Sequence, residues 1–125
     1  MSDCPFCDIQ DYVLENDYCY AIYDRFPVSP GHMLVIPKRH AEDFLAASDQ
    51  EQTAGIQLVQ DCVDYLQQNN RPDGFNVGIN CGRSAGQTIF HWHIHVIPRY
   101  RGDVCDPTGG VRGVIPSKMK YSVKD

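Results

Sequence analysis

The chain has 125 residues, 42% of them hydrophobic and 22% charged, with a formal net charge of −5, the size and make-up of one folded domain, residues 1–125, with a core of its own. An acidic chain without an extended basic surface is not built to track a nucleic-acid backbone, and no run approaches the roughly 20 apolar residues that cross a bilayer, so neither nucleic acid nor membrane is expected as a partner. The last 43 residues nonetheless hold seven of the eleven cations and three of the sixteen acids, a local excess that suits a small phosphorylated ligand and equally suits a solvated basic tail.

The opening stretch MSDCPFCDIQDYVLEND has neither a basic nor an apolar leader region, so a cytoplasmic location is expected. In that reducing compartment close cysteine pairs bind metal more often than they form disulfides, and of the six cysteines only Cys4 and Cys7 are close.

Cys19 to Asp24 reads as the first strand. The turn-like Pro27-Val28-Ser29-Pro30-Gly31 leads into a second, His32 to Lys38 (HMLVIPK), which Pro37 should end. Ser48-Asp49-Gln50-Glu51 has capping-box spacing and opens a helical pattern with Ile56, Val59, Cys62, Val63 and Leu66 on one stripe, ending near Asn69 to Pro72. Gly74 to Asn80 (GFNVGIN) alternates as a strand, Cys81 to Gly86 is a glycine-bearing loop, and Thr88 to Ile97 is a further strand. Residues 99–125, with Pro107, Gly109, Gly110, Gly113 and Pro116, read as an extended segment outside the core. Antiparallel strands around one long helix make an α+β domain.

His91, His93 and His95 alternate with Trp92, Ile94 and Val96, so on a strand the imidazoles share one face and the apolar residues pack on the other. At a rise of roughly 3.3 Å per residue, His91 and His95 start about 13 Å apart. Both cannot reach one zinc at about 2 Å on a straight strand, although a His-x-His pair with ligands from elsewhere remains a metalloenzyme alternative. Imidazole is also a nucleophile, largely uncharged near neutral pH, that forms a phosphoramidate which water cleaves, with flanking histidines orienting it and stabilising phosphate charge. The bland alternative is a His-rich exposed face. For Cys4-Pro5-Phe6-Cys7, two thiolates at this spacing take adjacent positions on zinc, and His40 and His91, at the ends of two strands, meet them if those strands lie antiparallel. Two thiols and a surface histidine are the alternative.

Residues 91–97, His-Trp-His-Ile-His-Val-Ile, resemble the signature of the histidine triad superfamily, Asp24 to His40 (DRFPVSPGHMLVIPKRH) resembles its ribose-binding and following strand segment, and Asn80 to Thr88 (NCGRSAGQT) resembles its phosphate-side loop. The resemblance implies a five-stranded antiparallel sheet with one long and one short helix, paired as a homodimer. It implies that His93 attacks the α-phosphate and carries the nucleotidyl group, that His95 contacts the same phosphate, and that His32 lies beside the triad. Asp24 would accept from ribose hydroxyls, Asn80, Gly86, Gln87 and Thr88 would contact phosphate and ribose, and Phe6, Ile9 and Ile22 would sandwich an adenine or other purine base. Arg25 departs from the apolar residue that several relatives carry.

Family members with such a cysteine pair bind a structural zinc, here implied at Cys4, Cys7, His40 and His91 within an N-terminal segment 1–10, and no catalytic cofactor is implied. The expected activity is hydrolysis or transfer at the α-phosphate of nucleoside phosphoramidates, adenylated compounds or dinucleoside polyphosphates. Pro98-Arg99 is more like the dinucleoside-polyphosphate branch. The alternative is a weakly catalytic nucleotide-binding adaptor or sensor. A lid over the phosphate built on Arg101 or Arg112 is a further expectation for the C-terminal segment.

Overall fold

The computed structural model describes residues 3–122, so the expected N-terminal and C-terminal segments each run past the described residues. Five strands, β1 (Leu14–Glu15), β2 (Cys19–Tyr23), β3 (Met33–Pro37), β4 (Gly74–Ile79) and β5 (Ile94–Arg99), form one antiparallel sheet in the order β1-β2-β3-β5-β4. One long helix, α1 (Asp49–Asn69), crosses one face, and the short second helix takes the form of a 3-10 turn at Phe44–Ala46. Among the described residues no helix is long and apolar enough to cross a membrane.

The capping box forms as the spacing predicts. Ser48 Oγ accepts from Glu51 N at 3.2 Å, and Glu51 Oε1 accepts from Ser48 N at 3.2 Å. Glu51 does more than cap, because its two oxygens also take Nε and Nη2 of Arg39 at 2.9 and 2.8 Å, tying the helix start to the segment that leaves β3. The buried side of α1 is Ala54, Gly55, Leu58, Cys62 and Leu66. Ile56, placed on the apolar stripe by sequence, is 55% exposed. The helix is rotated so that its small residues meet the sheet, and a Cβ on Gly55 would lie 3.3 Å from the Trp92 ring. Against this side pack Cys19, Ala21, Met33, Val35, Ile94 and Val96, each large side chain contributing roughly 1.5–3 kcal/mol by leaving water.

The last strand differs most from the sequence reading. It begins at Ile94 rather than Thr88 and runs beyond Ile97 through Pro98 and Arg99. Pro98 is tolerated opposite Phe75, and Met33, Leu34 and Val35 pair β3 with Val96, His95 and Ile94. His91 and His93 therefore precede the ladder, yet the alternation of faces survives, with Trp92, Ile94 and Val96 fully buried. The two-residue β1 carries too few residues for any alternation to mark it. The far face of the sheet is a second apolar layer in which Phe6, Tyr20, Leu34 and Ile36 are buried with Ile9, Tyr12, Ile22 and Ile89 beside them.

Candidate active site

The register sets the floor of the site. Ile22 pairs with Leu34, Leu34 with His95, and His95 with Gly78, so these four lie in one row on the face away from α1. Above the row is a cavity of about 560 Å³ whose lining includes apolar Phe6, Ile9, Ile22, Leu34 and Ile89 together with Asp24, Asn80, Gly86, Thr88, His93 and His95. Its size is within the roughly 300–1,000 Å³ of small-molecule sites.

Backbone partners fix the proton of each imidazole, because a carbonyl only accepts and an amide N–H only donates. His93 Nδ1 lies 3.0 Å from the His91 carbonyl and is its donor, which leaves the Nε2 lone pair bare. His32 Nδ1 accepts from Val28 N at 3.0 Å, so its proton is on Nε2, 3.0 Å from His95 Nδ1 and 3.4 Å from Asp24 Oδ2. His95 Nδ1 is thereby an acceptor and its Nε2 carries the hydrogen. Burial, then the neighbouring His93 and His32, push the His95 pKa down to about 4, and burial likewise lowers His32 against the opposing pull of Asp24. Both rings are neutral near pH 7. The site holds one imidazole with an exposed lone pair beside a second that presents a fixed N–H, ring centroids 5.2 Å apart.

The three triad imidazoles do not converge on a point. His91 turns to the cysteine pair, His95 to His32 and Asp24, and His93 belongs to neither set. Asp24, His32 and His95 lie close enough to hold an ion, but the proton that Val28 forces onto His32 Nε2 removes that ligand's lone pair, so this trio is a hydrogen-bond chain.

Cys4, Cys7, His40 and His91 meet as their spacing predicts, all ligand atoms lying within 4.8 Å of one another. Cys4 Sγ is 3.3 Å from His91 Nδ1, and Cys7 Sγ is 3.2 Å from His40 Nδ1 and 3.6 Å from His91 Nδ1. Thiolate and imidazole ligands on one tetrahedral zinc sit roughly 3.6 Å apart, given Zn–S near 2.3 Å and Zn–N near 2.0 Å. His91 Nε2 donates to the Pro37 carbonyl at 2.7 Å, so Nδ1 faces the sulfurs with its lone pair, the outer-shell arrangement of a metal histidine. The donor set fits zinc.

Asp24, Asn80, Gly86, Thr88, Phe6, Ile9 and Ile22 all line the cavity; Gln87 does not. It is 4% exposed, accepts from Gly82 N at 2.9 Å, and donates to the carbonyls of Glu42 and Ile89 at 2.7 and 3.1 Å, so it braces the loop. Arg101 and Arg112 are also elsewhere. Arg112 donates to the carbonyls of Lys118 and Met119 and lies over the Tyr121 ring, and Arg101 borders a separate concavity with Asp73 and Tyr100. The sequence reading missed Leu34 in the cavity floor, Pro5, Phe26 and Ile89 elsewhere in its lining, and Val28 through its backbone N–H. Leu34 was detectable, since it lies two positions from Ile36 on the strand face opposite Met33 and Val35.

Residues 9–102 match the HIT domain family. The chain is 40% identical over 105 residues to an uncharacterized HIT-like protein of Mycoplasma pneumoniae, covering 79% of this chain and 73% of that one. It is 38% identical over 111 residues to an AP-4-A phosphorylase of Mycobacterium tuberculosis, covering 86% of this chain and 56% of that longer protein. Among solved structures, a Zn-bound histidine triad family protein from Mycobacterium smegmatis superposes with a TM-score of 0.75 at 32% identity, over 83% of this chain and 80% of that one. A HIT family member from Bacillus subtilis gives 0.72 at 28% identity over 97% and 100%. The fold, the histidine pattern and the match across residues 9–102 together place this chain in the HIT domain family.

Proposed function

We propose that this chain is a nucleotide hydrolase or nucleotidyl transferase, cleaving at the α-phosphate of nucleoside phosphoramidates, adenylated compounds or dinucleoside polyphosphates through a nucleotidyl group carried on His93 Nε2. The carrying observation is that His93 Nδ1–H is held by the His91 carbonyl, which leaves Nε2 bare in a cavity of nucleoside size. In-line attack from Nε2 forms the N–P bond as the leaving group departs. Water then cleaves that bond, releasing a nucleoside monophosphate. His95 Nε2–H donates to a phosphate oxygen as charge develops, and His32 is a positioning residue that holds His95 in this tautomer. Asp24 Oδ1 is held by Phe26 N at 2.9 Å, which sets the carboxylate to accept from ribose hydroxyls. Asn80, Gly86 and Thr88 approach the phosphate and ribose, with Gln87 acting through the loop it braces, and Phe6, Ile9 and Ile22 enclose a purine base. The AP-4-A phosphorylase relative supports nucleotide chemistry of this kind.

Cys4, Cys7, His40 and His91 would hold a structural zinc, which supplies no step of the reaction and ties the N-terminal segment to the sheet. The single domain would work in the cytoplasm as a homodimer, for which the outer edge of β4 offers unpaired backbone.

The test mixes the purified protein with adenosine 5′-phosphoramidate and with diadenosine tetraphosphate, and follows AMP and the mass of the quenched protein. AMP release and a nucleotidyl adduct in the wild type, both absent in His93→Ala, are expected. AMP binding without release would make the site that of a sensor.

A further inference from the structure

Arg25 borders the cavity that contains His93 and His95, and among the described residues it is the one Lys or Arg in that lining. Elsewhere the cations are taken up by carboxylates, Lys38 by Glu15, Arg39 by Glu51, Arg99 by Asp103 and Lys120 by Asp106. Among the described residues no ion pair or hydrogen bond engages the Arg25 side chain. The carboxylate next to it in sequence is already committed. Asp24 Oδ1 accepts from Phe26 N at 2.9 Å, and Oδ2 lies 3.4 Å from His32 Nε2. The first of these bonds spans Arg25 and holds its backbone in a tight turn. An exposed guanidinium, a planar fork of N–H donors with no acceptor of its own, is therefore left over at the cavity.

The sheet register relates Arg25 to the parts of a nucleotide. Ile22 pairs with Leu34 and Leu34 with His95, so β2 lies two strand spacings, about 10 Å, across the sheet from the strand of His95. With the phosphate at His93 and His95, β2 faces the nucleoside half of the ligand. Arg25 follows the last residue of β2, Tyr23, by two positions. Two kinds of acceptor in that half could receive its fork, a phosphate on the ribose or the edge of the base. Asp24 excludes the first, because its carboxylate, set to accept from the ribose hydroxyls, would meet such a phosphate with like charge.

The base edge remains, and its chemistry separates the purines. Guanine carries two acceptors side by side, O6 and N7, which a guanidinium takes as a bidentate pair. Adenine sets the N6 donor beside N7, so one arm of the fork would face another donor. We infer that Arg25 is a specificity-determining residue that reads the O6 and N7 edge of the base, so that the cavity prefers a guanine nucleotide over an adenine nucleotide. This rests on the nucleotide reading above and deepens it by naming the purine. A bidentate pair of this kind discriminates by about 5- to 150-fold, and the exposure of Arg25 to water and salt sets the expectation at the lower end, about 5- to 20-fold.

The experiment measures binding of GMP, IMP and AMP by calorimetry to the wild type, Arg25→Met and Arg25→Lys, with melting curves to verify folding. It also compares kcat/KM for guanosine and adenosine 5′-phosphoramidates. IMP keeps O6 and N7 but lacks the 2-amino group, so it isolates the edge that Arg25 reads. We expect GMP and IMP to bind the wild type about 5- to 20-fold more tightly than AMP, with the same order in kcat/KM. In Arg25→Met, which keeps the apolar stem and loses the donors, the GMP to AMP ratio should fall close to one. Arg25→Lys, with a point charge in place of the fork, should fall between. IMP binding as weakly as AMP, or a GMP to AMP ratio unchanged in a folded Arg25→Met, overturns the assignment. Equal binding of GMP and AMP, with both weakened alike in Arg25→Met, also overturns it and makes Arg25 a stacking group on the base face. These outcomes leave the nucleotide reading standing, whereas no binding of any of the three to the wild type overturns both.

Discussion

Replacing His32 by Phe tests the hydrogen-bond chain that runs behind the reacting histidines. The ring is 2% exposed and of similar shape to phenylalanine, so the volume is kept while two hydrogen bonds vanish, Val28 N to Nδ1 at 3.0 Å and Nε2–H to His95 Nδ1 at 3.0 Å. A buried acceptor left without its donor costs about 1–3 kcal/mol. That is what His95 now faces if it is to keep its hydrogen on Nε2, so kcat should fall by about 10- to 100-fold with KM changed less. Removing His32 also removes a neighbour that, once protonated at low pH, holds the His95 pKa down, so the acid limb of the kcat profile should move to higher pH. His32→Gln returns an N–H donor and should recover part of the rate. Single-turnover formation of the nucleotidyl adduct, read by rapid quench beside a melting curve, separates this from unfolding. A folded His32→Phe protein with wild-type kcat and an unmoved pH profile would refute the reasoning.

Glu51→Ala removes the Arg39 pair and the side-chain half of the capping box, while Ser48 Oγ keeps the backbone N–H of residue 51; because Arg39 is 63% exposed the ionic part is screened, and a loss of about 1 kcal/mol is expected, seen as a melting point lower by a few degrees. Glu51→Gln, which keeps an acceptor, should lose less. Purified protein should carry one zinc per chain by elemental analysis, with Cys7→Ser lowering both metal content and melting temperature. His93→Ala should leave the metal in place, and its loss there would contradict a site confined to Cys4, Cys7, His40 and His91. Folding keeps His95 neutral down to about pH 4, whereas the unfolded ring binds a proton below about 6.5. Stability should therefore fall as pH drops from about 6.5 to about 4, by up to roughly 3 kcal/mol, in denaturant titrations at several pH values.

Much of this architecture was readable where a pattern repeats. Capping chemistry placed the start of α1, two-residue alternation put the histidines opposite Trp92, Ile94 and Val96, and C-x-x-C spacing with two strand-end histidines marked a Cys/His cluster that the folded chain assembles. The sequence misled where the signal is carried by partners distant along the chain. Ile56 looks like core until the close approach of Gly55 to Trp92 turns the helix. Thr88 to His93 have strand composition, but Gln87 and the Trp92 N–H to Ala41 carbonyl bond at 2.9 Å hold them off the ladder. Glycines at 109, 110 and 113 read as loop, and only the 3-10 turn at Gly110–Val114, with Met119 and Asn76 close enough to exclude a side chain, shows that the segment is folded.

His91 has two separate duties, since its ring joins the cysteine cluster while its carbonyl accepts the hydrogen bond from His93 Nδ1–H. One peptide unit thus joins the anchor of the N-terminal segment to the aim of the nucleophile. Stripping the anchor would let that carbonyl drift, and the nucleophile could then rotate or place its proton on the attacking nitrogen. On the proposed zinc and nucleophile assignments, a chain starved of the ion would fall silent before it unfolded, and chemical output would report metal supply earlier than any melting curve.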